Sequence, residues 1–483
     1  MTFYGVASGY YKPLSVKEVE SIHQTSLRIL AEVGFMVEND RALQVLSEIG
    51  CTVDNNRKIV KVEPDLLMRT IKQAPARITL YGREEKNTLV IEANRTYYSN
   101  GGTAIKTIDL ETGERRDSNL EDVGQICKVI DALEHTHMIM LPIYPAEHTP
   151  DEVDVNRFFT ALNNSTKHVM GGLYGPEGAK NVIKMAQIIA GGEDALRRKP
   201  ILTFITCLLS PLKMEHNYVN FMFDAAEAGI PVITSVCPIS GLTAPMTLAG
   251  HLAQLNAEAL SGILLLQAIK PGTPVFYSVV PTIADMRSMS FLFGSVESGI
   301  MNAACAQLAS YYNMPMYSTG GVSEAKTGDA QAGYEKAISS LMPALAGAQL
   351  IHDAAGLLEG SIVFSLEQLI IDDEINGMAL RSARGIEVNE DTLAFETIKN
   401  VGPGGNYLAE THTVKHMRSE TFFPKVANRS IYADWVNDGA KTSWDRANDL
   451  AKDILANHYV EPFKYEIIAD LIKEFPRLRV LKF

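Results

Sequence analysis

Short apolar runs, separated by longer segments of helical periodicity, recur through the middle of the chain. Each run is rich in β-branched or aromatic residues and has the length of a strand that is buried on both faces. The eight runs are Thr96–Gly102, His137–Pro142, Lys167–Tyr174, Ile201–Leu209, Val232–Cys237, Val275–Val280, Met316–Thr319 and Leu350–Ala355. Eight strands that alternate with helices predict a closed (β/α)8 barrel of the TIM type, and favour it over an open doubly wound sheet.

Prolines mark the entry into four of these runs. Pro200, Pro231, Pro274 and Pro315 each stand directly before an apolar run. Proline is tolerated as the first residue of a strand, and it ends a preceding helix. The spacings of 31, 43 and 41 residues suit strand–helix units with some long loops, which supports the barrel.

The barrel pattern covers residues 96–385 and leaves one region at each end. Residues 1–95 predict a small α/β cap, because a helix that begins after Ser15 precedes a second helix and short β-like runs. Residues 386–483 predict a C-terminal helical region, which the glycine-rich segment Gly402–Gly405 interrupts. We expect the active site at the carboxyl ends of the barrel strands, where loops of such barrels carry the chemistry.

The net charge and the cysteines argue against several classes of function. A formal charge of −13 disfavours nucleic acid or an anionic membrane surface as a partner. The first residues lack the features of a secretory signal, and no apolar run reaches the roughly 18 residues of a membrane span. The five cysteines are scattered without a CxxC pair, which indicates reduced thiols in a cytoplasmic protein.

Motifs for metal, nucleophilic or phosphate chemistry are weak. His412 and His416 have HxxxH spacing, but the third ligand and the glutamate of a zinc enzyme are missing. We therefore predict no metal site and favour a structural or partner-facing role for both histidines. The GxSxG and GxxxxGK[ST] motifs are absent. Lys326 could form a Schiff base in an aldolase-like barrel, although its polar loop favours a solvated charge.

Aromatic side chains gather near the predicted strand ends and could form a cage for a quaternary ammonium ion by cation–π attraction. The candidates are Tyr97, Tyr144, Tyr174, Tyr277 and Tyr317. Side chains alternate along a strand, so only about half of these rings should face the barrel interior. His352, Glu324 and Lys326 are the polar candidates at the same end, with a satisfied core histidine as the competing interpretation of His352.

Four long motifs give the chain a family resemblance. They are DAQAGYEK (Asp329–Lys336), LAGAQLIHDAAGLLEG (Leu345–Gly360), SLEQLIIDDEINGM (Ser365–Met378) and GPGGNYLAETHTVKHMR (Gly402–Arg418). They resemble the trimethylamine:corrinoid methyltransferase superfamily. The resemblance implies a (β/α)8 barrel that passes a methyl group to the Co(I) of a separate corrinoid protein, with no tightly bound cofactor of its own.

The chain contains only the standard twenty residues, so it is similar to the branch of that superfamily without pyrrolysine. That branch implies a quaternary amine as methyl donor, such as glycine betaine, proline betaine, carnitine or γ-butyrobetaine, with the first two preferred. It also implies delivery of methyl groups to tetrahydrofolate in anaerobic one-carbon metabolism. Asn406 stands where the superfamily motif leads us to expect histidine, so no role is transferred to this position.

A quaternary ammonium donor leaves as a neutral amine, so its demethylation needs positioning and no general acid or base. For a betaine, we expect the carboxylate to meet His352, Lys326 or backbone amides at Gly320–Gly321. Two alternatives remain: a lyase or aldolase that uses Lys326, and a quaternary-amine binding protein without turnover. A homo-oligomer is the default expectation for a soluble enzyme of this kind.

Overall fold

Eight parallel strands close into a barrel in the computed structural model, which describes residue 6 and residues 8–93, 95–288 and 290–481. The strands are β1 (Tyr97–Tyr98), β2 (Ile139–Met140), β3 (Val169–Gly172), β4 (Leu202–Leu208), β5 (Val232–Val236), β6 (Val275–Ser278), β7 (Met316–Thr319) and β8 (Leu350–His352). Each pairs in parallel with the next, and β8 pairs with β1. A parallel bridge between Ser99 and Met138 closes the ring. The predicted barrel is confirmed, and each strand lies inside its predicted run.

A helix follows every barrel strand and covers its outer face. The helices are α1 (Leu120–Ala132), α2 (Pro150–Asn163), α3 (Gly178–Ala190), α4 (His216–Ala228), α5 (Leu248–Ile269), α6 (Val296–Tyr311), α7 (Ala330–Ala346) and α8 (Leu366–Arg384). Among the described residues, α5 alone is long and apolar enough to cross a membrane. However, 83% of its apolar window is buried inside the protein, where it packs on β5, β6 and the N-terminal helices.

The lower half of the barrel interior is a closed apolar layer. Side chains alternate along a strand, and each strand contributes one residue to this layer. The contributors are Tyr97, Met138, Met170, Ile205, Ile233, Phe276, Tyr317 and Leu350. The antiparallel hairpin of Ile78–Leu80 and Leu89–Ile91 packs against the same layer. This hairpin closes the amino-terminal end of the barrel, so access from outside must come from the carboxyl ends of the strands.

The N-terminal region contains the helices and strands of an α/β unit. Its helices are Val16–Arg28, Asp40–Glu48 and Pro64–Ile71, and its strands are Phe35–Val37, Thr52–Asp54 and Ile59–Lys61. The predicted capping box of Ser15 and Glu18 begins the first helix. The strand Lys213–Met214, from the connection between β4 and α4, pairs with Phe35–Val37. The small sheet therefore joins the N-terminal region to the barrel.

The C-terminal region is helical, as the sequence indicates. Its helices are Glu390–Leu393, Phe395–Val401, Thr411–Glu420, Tyr432–Asn437, Ser443–Asn457 and Tyr465–Glu474. The fifth packs against α8 and α1, and the sixth against α3. In this described part of the chain, the first four helices contain no buried residue. The region thus divides into two helices that bury side chains and four short helices that bury none. The segment after the third short helix is still attached to α8, since the amides of Lys425 and Val426 donate to Glu374.

Candidate functional site

A second ring of side chains lies two residues further along the strands, at the barrel mouth. It consists of Ser99, Met140, Gly172, Cys207, Ser235, Ser278, Thr319 and His352, because alternation returns every second residue to the interior. Met140, Gly172 and Cys207 are partly exposed, whereas the other five are buried. A Cβ atom added to Gly172 would meet only the Ile205 carbonyl oxygen, at 3.9 Å. The mouth is therefore open above β2, β3 and β4.

Tyr317 and His352 form a stacked pair on the closed side of the mouth. Their ring centroids are 4.0 Å apart and their planes differ by 9°. The Tyr317 hydroxyl lies 3.9 Å from the sulfur of Met140, which belongs to the open side. His352 Nε2 lies 2.5 Å from the Thr319 hydroxyl. The pair is thus a fixed aromatic surface that is buried just below the opening, with Tyr317 1% and His352 4% exposed.

Asp353 lies on the side of the His352 ring that is opposite to Thr319. Its Oδ2 lies 3.1 Å from His352 Nδ1, and its Oδ1 accepts a hydrogen bond of 3.3 Å from the Gly102 amide. The backbone of Asp353 is left-handed, with φ of +61°, a strained conformation that clusters at functional sites. Asp353 connects the end of β8 to the end of β1 and places a carboxylate beside the imidazole, although His352 Nδ1 forms no hydrogen bond with a described residue.

Tyr144, Tyr174 and Arg157 lie together where β2 and β3 end. The two tyrosine rings are 5.0 Å apart and nearly perpendicular. The Arg157 guanidinium carbon lies 5.2 Å from the centroid of Tyr174 and 5.9 Å from that of Tyr144. Arg157 is fully buried, and it comes from α2. This cluster lies beyond the carboxyl end of β3, where Tyr174 follows Gly172 by two residues.

Two of the five predicted tyrosines face elsewhere. Tyr97 belongs to the lower layer, and its hydroxyl donates to the carbonyl of Val90 on the closing hairpin. The Tyr277 hydroxyl points outward and donates to Asn256 Oδ1 on α5 at 2.8 Å. The prediction that these two tyrosines point to the mouth was wrong. Tyr97 shares the lower layer with Tyr317, but its hydroxyl points to the closing hairpin. Tyr277 faces outward, because the register of a strand decides which side of the barrel a residue takes.

Glu324 and Lys326 belong to the loop that follows β7. Glu324 accepts hydrogen bonds from the amides of Phe293 and Gly294, and burial raises the pKa of its carboxyl group. It joins the loops after β6 and β7. Lys326 is exposed and donates to the Glu324 carbonyl oxygen at 2.7 Å. Its amine is therefore not the desolvated group that imine formation requires.

The backbone amide of Gly320, another predicted contact of the substrate carboxylate, is already hydrogen-bonded within the protein. It donates to the carbonyl oxygen of His352 at 3.1 Å. A Cβ atom at the neighbouring Gly321 would lie 2.6 Å from Ala354 Cα, so these glycines allow a close approach of the loops after β7 and β8. Of the three predicted carboxylate contacts, His352 is the one that reaches the mouth.

Cys207 and Cys237 lie at the carboxyl ends of β4 and β5, and both are partly exposed. Burial raises the pKa of Cys207 to about 11 and that of Cys237 to about 12. Both thiols are therefore protonated at neutral pH, and a thiol is a much weaker nucleophile than a thiolate. These residues contribute to the shape of the mouth.

His412 and His416 are adjacent on the helix Thr411–Glu420, with ring centroids 4.3 Å apart. His416 Nε2 lies 3.1 Å from Asp391 Oδ2, and His412 Nε2 lies 3.1 Å from the Asp391 carbonyl oxygen. They connect two helices of the C-terminal region, far along the chain from the barrel strands. A search of the described residues for three or more His, Cys, Asp or Glu side chains that could hold a metal ion finds none.

Sequence reasoning missed three residues of the mouth: Thr319, Asp353 and Arg157. The alternation of side chains along β7 could have indicated Thr319, because Thr319 lies two positions after Tyr317 and faces the same side of the strand. The left-handed backbone of Asp353 leaves no signal in the sequence. Arg157 stands before Phe158, Phe159 and two further apolar residues of α2, and a charge in such a surrounding is an indication of function.

Comparisons with known proteins agree with this architecture. The sequence profile of the family described as Trimethylamine methyltransferase (MTTB) matches residues 6–477. The trimethylamine methyltransferase MttB of Desulfitobacterium hafniense is 38% identical over 95% of this chain and 92% of its own length. A glycine betaine methyltransferase of Desulfitobacterium hafniense is 35% identical over 95% of this chain and 96% of its own length.

A solved structure gives the same fold. The monomethylamine methyltransferase of Methanosarcina barkeri superimposes with a TM-score of 0.52 over 94% of this chain and 96% of that chain. Its sequence identity is 12%, so the likeness concerns the fold alone.

Proposed function

This chain belongs to the trimethylamine methyltransferase (MTTB) family and is a methyltransferase, and on that premise we propose that it takes a methyl group from a small quaternary amine and delivers it to the Co(I) of a separate corrinoid protein. All 483 residues are standard, which supports the branch of the family without pyrrolysine. The relative named glycine betaine methyltransferase supports a betaine as donor, either glycine betaine or proline betaine.

The chemistry of the donor suits the groups at the mouth. When a nucleophile attacks a methyl group of a quaternary ammonium ion, the C–N electron pair returns to nitrogen and a neutral amine leaves. No proton must be added to the leaving group, so the enzyme has to hold the donor in line and exclude water. The corrinoid protein is a substrate in this scheme and supplies the nucleophile.

The observation that carries the proposal is the fixed aromatic surface of Tyr317 and His352, which is buried just below a half-open barrel mouth. The rings of Tyr317 and His352 are stacked at 4.0 Å, and burial raises the pKa of Tyr317 well above its ordinary value, so its ring stays neutral. The electron-rich face of a neutral tyrosine attracts a quaternary ammonium ion. The open side above Gly172 leaves room for the donor and for the approach of the acceptor.

The loops at the rim support a docking role for the same end of the barrel. Glu324 holds the loops after β6 and β7 together through the Phe293 and Gly294 amides, so the rim is ordered before a partner arrives. The corrinoid protein would sit on this rim, in the cytoplasm, and methyl groups would pass onward to tetrahydrofolate. No contact at the mouth favours the aldolase alternative, since Lys326 is solvent-exposed.

The proposal is tested by mixing the protein with a Co(I) corrinoid protein and one quaternary amine at a time. We expect glycine betaine or proline betaine to convert the visible spectrum of Co(I) to that of methyl-Co(III), while samples without the enzyme stay unchanged. Carnitine and γ-butyrobetaine complete the panel. A panel in which none of the four amines changes the spectrum would contradict the proposal.

A further inference from the structure

Arg157 is a buried cation that has only neutral hydrogen-bond partners. Its Nε donates to the Ile143 carbonyl at 3.0 Å and its Nη2 to the Thr103 hydroxyl at 3.2 Å. Its Nη1 is buried and has no partner in the described part of the chain. An unpaired buried donor on a charged group is costly, so something must compensate this charge when the enzyme works.

The carboxylate nearest to Arg157 on α2 already accepts hydrogen bonds from backbone amides. Asp154, one turn before Arg157, accepts hydrogen bonds from the amides of Tyr174 and Gly175 at 2.8 to 3.1 Å. No ion pair between described residues includes Arg157. Asp154 therefore shapes the loop after β3. Its carboxylate interacts with the guanidinium through space, but it forms no hydrogen bond with Nη1.

The position of Arg157 connects it to the opening. Its partners Thr103 and Ile143 follow β1 and β2, and the Tyr174 ring beside it follows β3, two residues after Gly172. Tyr174 is 45% exposed, so its side chain stands between the guanidinium and solvent.

We propose that Arg157 receives a carboxylate of the substrate, which makes the preferred donors zwitterions that carry a carboxylate close to the quaternary nitrogen. This inference rests on the proposed function of the same site. The carboxylate accepts a hydrogen bond from Nη1 and so completes the hydrogen bonding of the guanidinium. The ammonium end then lies toward the aromatic surface of Tyr317 and His352.

The test compares glycine betaine with choline, which has the same trimethylammonium group and a hydroxyl in place of the carboxylate. Dissociation constants are measured by calorimetry for the unmodified protein, Arg157→Gln and Arg157→Lys, with Lys326→Gln as the control. We expect Arg157→Gln to weaken glycine betaine binding about 30-fold and to leave choline binding unchanged. Arg157→Lys should keep part of the preference for glycine betaine over choline. Lys326→Gln should keep all of this preference.

The role of Arg157 would be overturned if Arg157→Gln weakened the binding of glycine betaine and choline equally, or left the preference for glycine betaine unchanged. An arginine with a merely structural role cannot distinguish the two ligands. Unchanged choline binding also shows that the variant is folded. The binding experiment is independent of turnover. A protein that binds glycine betaine through Arg157 but methylates no corrinoid protein would contradict the proposed function while supporting the carboxylate receptor.

A second and independent observation concerns residues 386–436, which we call the arm. The arm contains 13 of the 31 exposed large hydrophobic residues of the described chain. They are Ile386, Val388, Leu393, Phe395, Ile398, Tyr407, Leu408, Val414, Met417, Phe423, Ile431, Tyr432 and Val436. Soluble monomers rarely expose apolar surface on this scale, and larger exposed patches mark interaction sites.

The burial pattern favours a permanent partner over a transient one. None of the four short helices of the arm has a buried residue of its own, so a partner that leaves after each turnover would return all of this apolar surface to water. Obligate interfaces are more apolar than transient ones and are mostly formed between identical chains. The arm has five Lys or Arg against seven Asp or Glu, whereas the whole chain carries −13. Two acidic copies can therefore meet at this nearly neutral surface.

We infer that the arm is the interface with a second copy of this chain. The mass in solution tests it, measured by light scattering on a sizing column. We expect a multiple of 53.0 kDa. Phe395→Glu with Leu408→Glu should produce a monomer, because both side chains are exposed in one copy, at 68% and 86%. Val16→Glu, at an equally exposed apolar residue outside the arm, should leave the mass unchanged. A monomeric unmodified protein, or an arm variant that keeps its mass, would overturn the inference.

Discussion

The mouth of this barrel depends on a few residues whose side chains have fixed positions. Thr319 is hydrogen-bonded to the imidazole of His352 at 2.5 Å, and the carboxylate of Asp353 lies 3.1 Å from its other nitrogen. Tyr317 stacks on its face. Such preorganisation matters for a reaction that depends on placing a donor and an acceptor in line, because misplacement of about 1 Å can reduce a rate about 100-fold.

Replacement of His352 by alanine should therefore affect donor binding. We expect His352→Ala to raise the KM for the betaine about tenfold, since it removes the stacking partner of Tyr317 and the polar group at the edge of the opening. Lys326→Ala, in an exposed loop, serves as the control and should leave KM unchanged. Initial rates of methyl transfer over a range of betaine concentrations give both values. Identical KM values for His352→Ala and the unmodified protein would remove His352 from the site.

Buried histidines should make the protein sensitive to acid. Burial lowers the pKa of His168 and of His251 to about 4, below the 6.5 of an unfolded histidine. Between pH 6.5 and about 4, the unfolded chain binds protons that the folded chain does not. Each histidine should therefore lower the free energy of unfolding by about 1.4 kcal/mol per pH unit as the pH falls through this range.

His168→Gln provides the matched comparison, because glutamine can still bond to the Tyr81 carbonyl or the Thr203 hydroxyl and does not titrate. Urea midpoints at pH 7 and pH 5 should differ less for the variant than for the unmodified protein. An equal pH dependence of the two proteins would show that His168 is not a neutral buried histidine.

At the scale of the elements, the hydrophobic pattern located all eight barrel strands, because strands that are buried on both faces are continuous apolar runs. The four prolines marked where strands begin, because proline ends a preceding helix and is tolerated as the first residue of a strand. The pattern could not decide which alternate residues form the upper ring, so Tyr97 and Tyr277 were assigned to the mouth. The register of the strands in the barrel depends on the hairpin at residues 78–91. This hairpin packs into the lower layer although it is distant in sequence from most of the strands.

One buried ion pair holds two of these elements together. Lys336 on α7 and Asp372 on α8 are almost fully buried and lie 2.8 Å apart. The lysine also donates to the carbonyl of Gly321, and the aspartate accepts from the amide of Gly356. The pair thus fixes the loops after β7 and β8, which carry the residues next to His352.

We expect Lys336→Met to destabilise the protein by about 3–5 kcal/mol, because Asp372 then keeps a buried charge without its partner. Adding Asp372→Leu should restore most of this loss, since a buried pair can be replaced by apolar groups at little net cost. Urea unfolding of the single and double variants measures both effects. A double variant no more stable than Lys336→Met alone would contradict this account of the pair.

At the scale of the whole molecule, we propose functions for two surfaces of the chain. The barrel mouth is open above β2, β3 and β4, and the arm lies in a separate part of the sequence. Family motifs in the last third of the chain indicated the fold and the methyltransferase activity, both of which the comparisons confirm. The motifs could not indicate the arm, because the exposure of an apolar residue is a property of the folded chain and not of its local sequence.

The most direct test of the central claim is a single turnover with glycine betaine labelled with 13C in its methyl groups. The enzyme and a stoichiometric Co(I) corrinoid protein are mixed with the labelled donor, and both products are quantified. The account predicts equal amounts of labelled methyl-corrinoid and of dimethylglycine, formed only when the enzyme is present. Dimethylglycine without label on the corrinoid, or binding of the donor without either product, would contradict it.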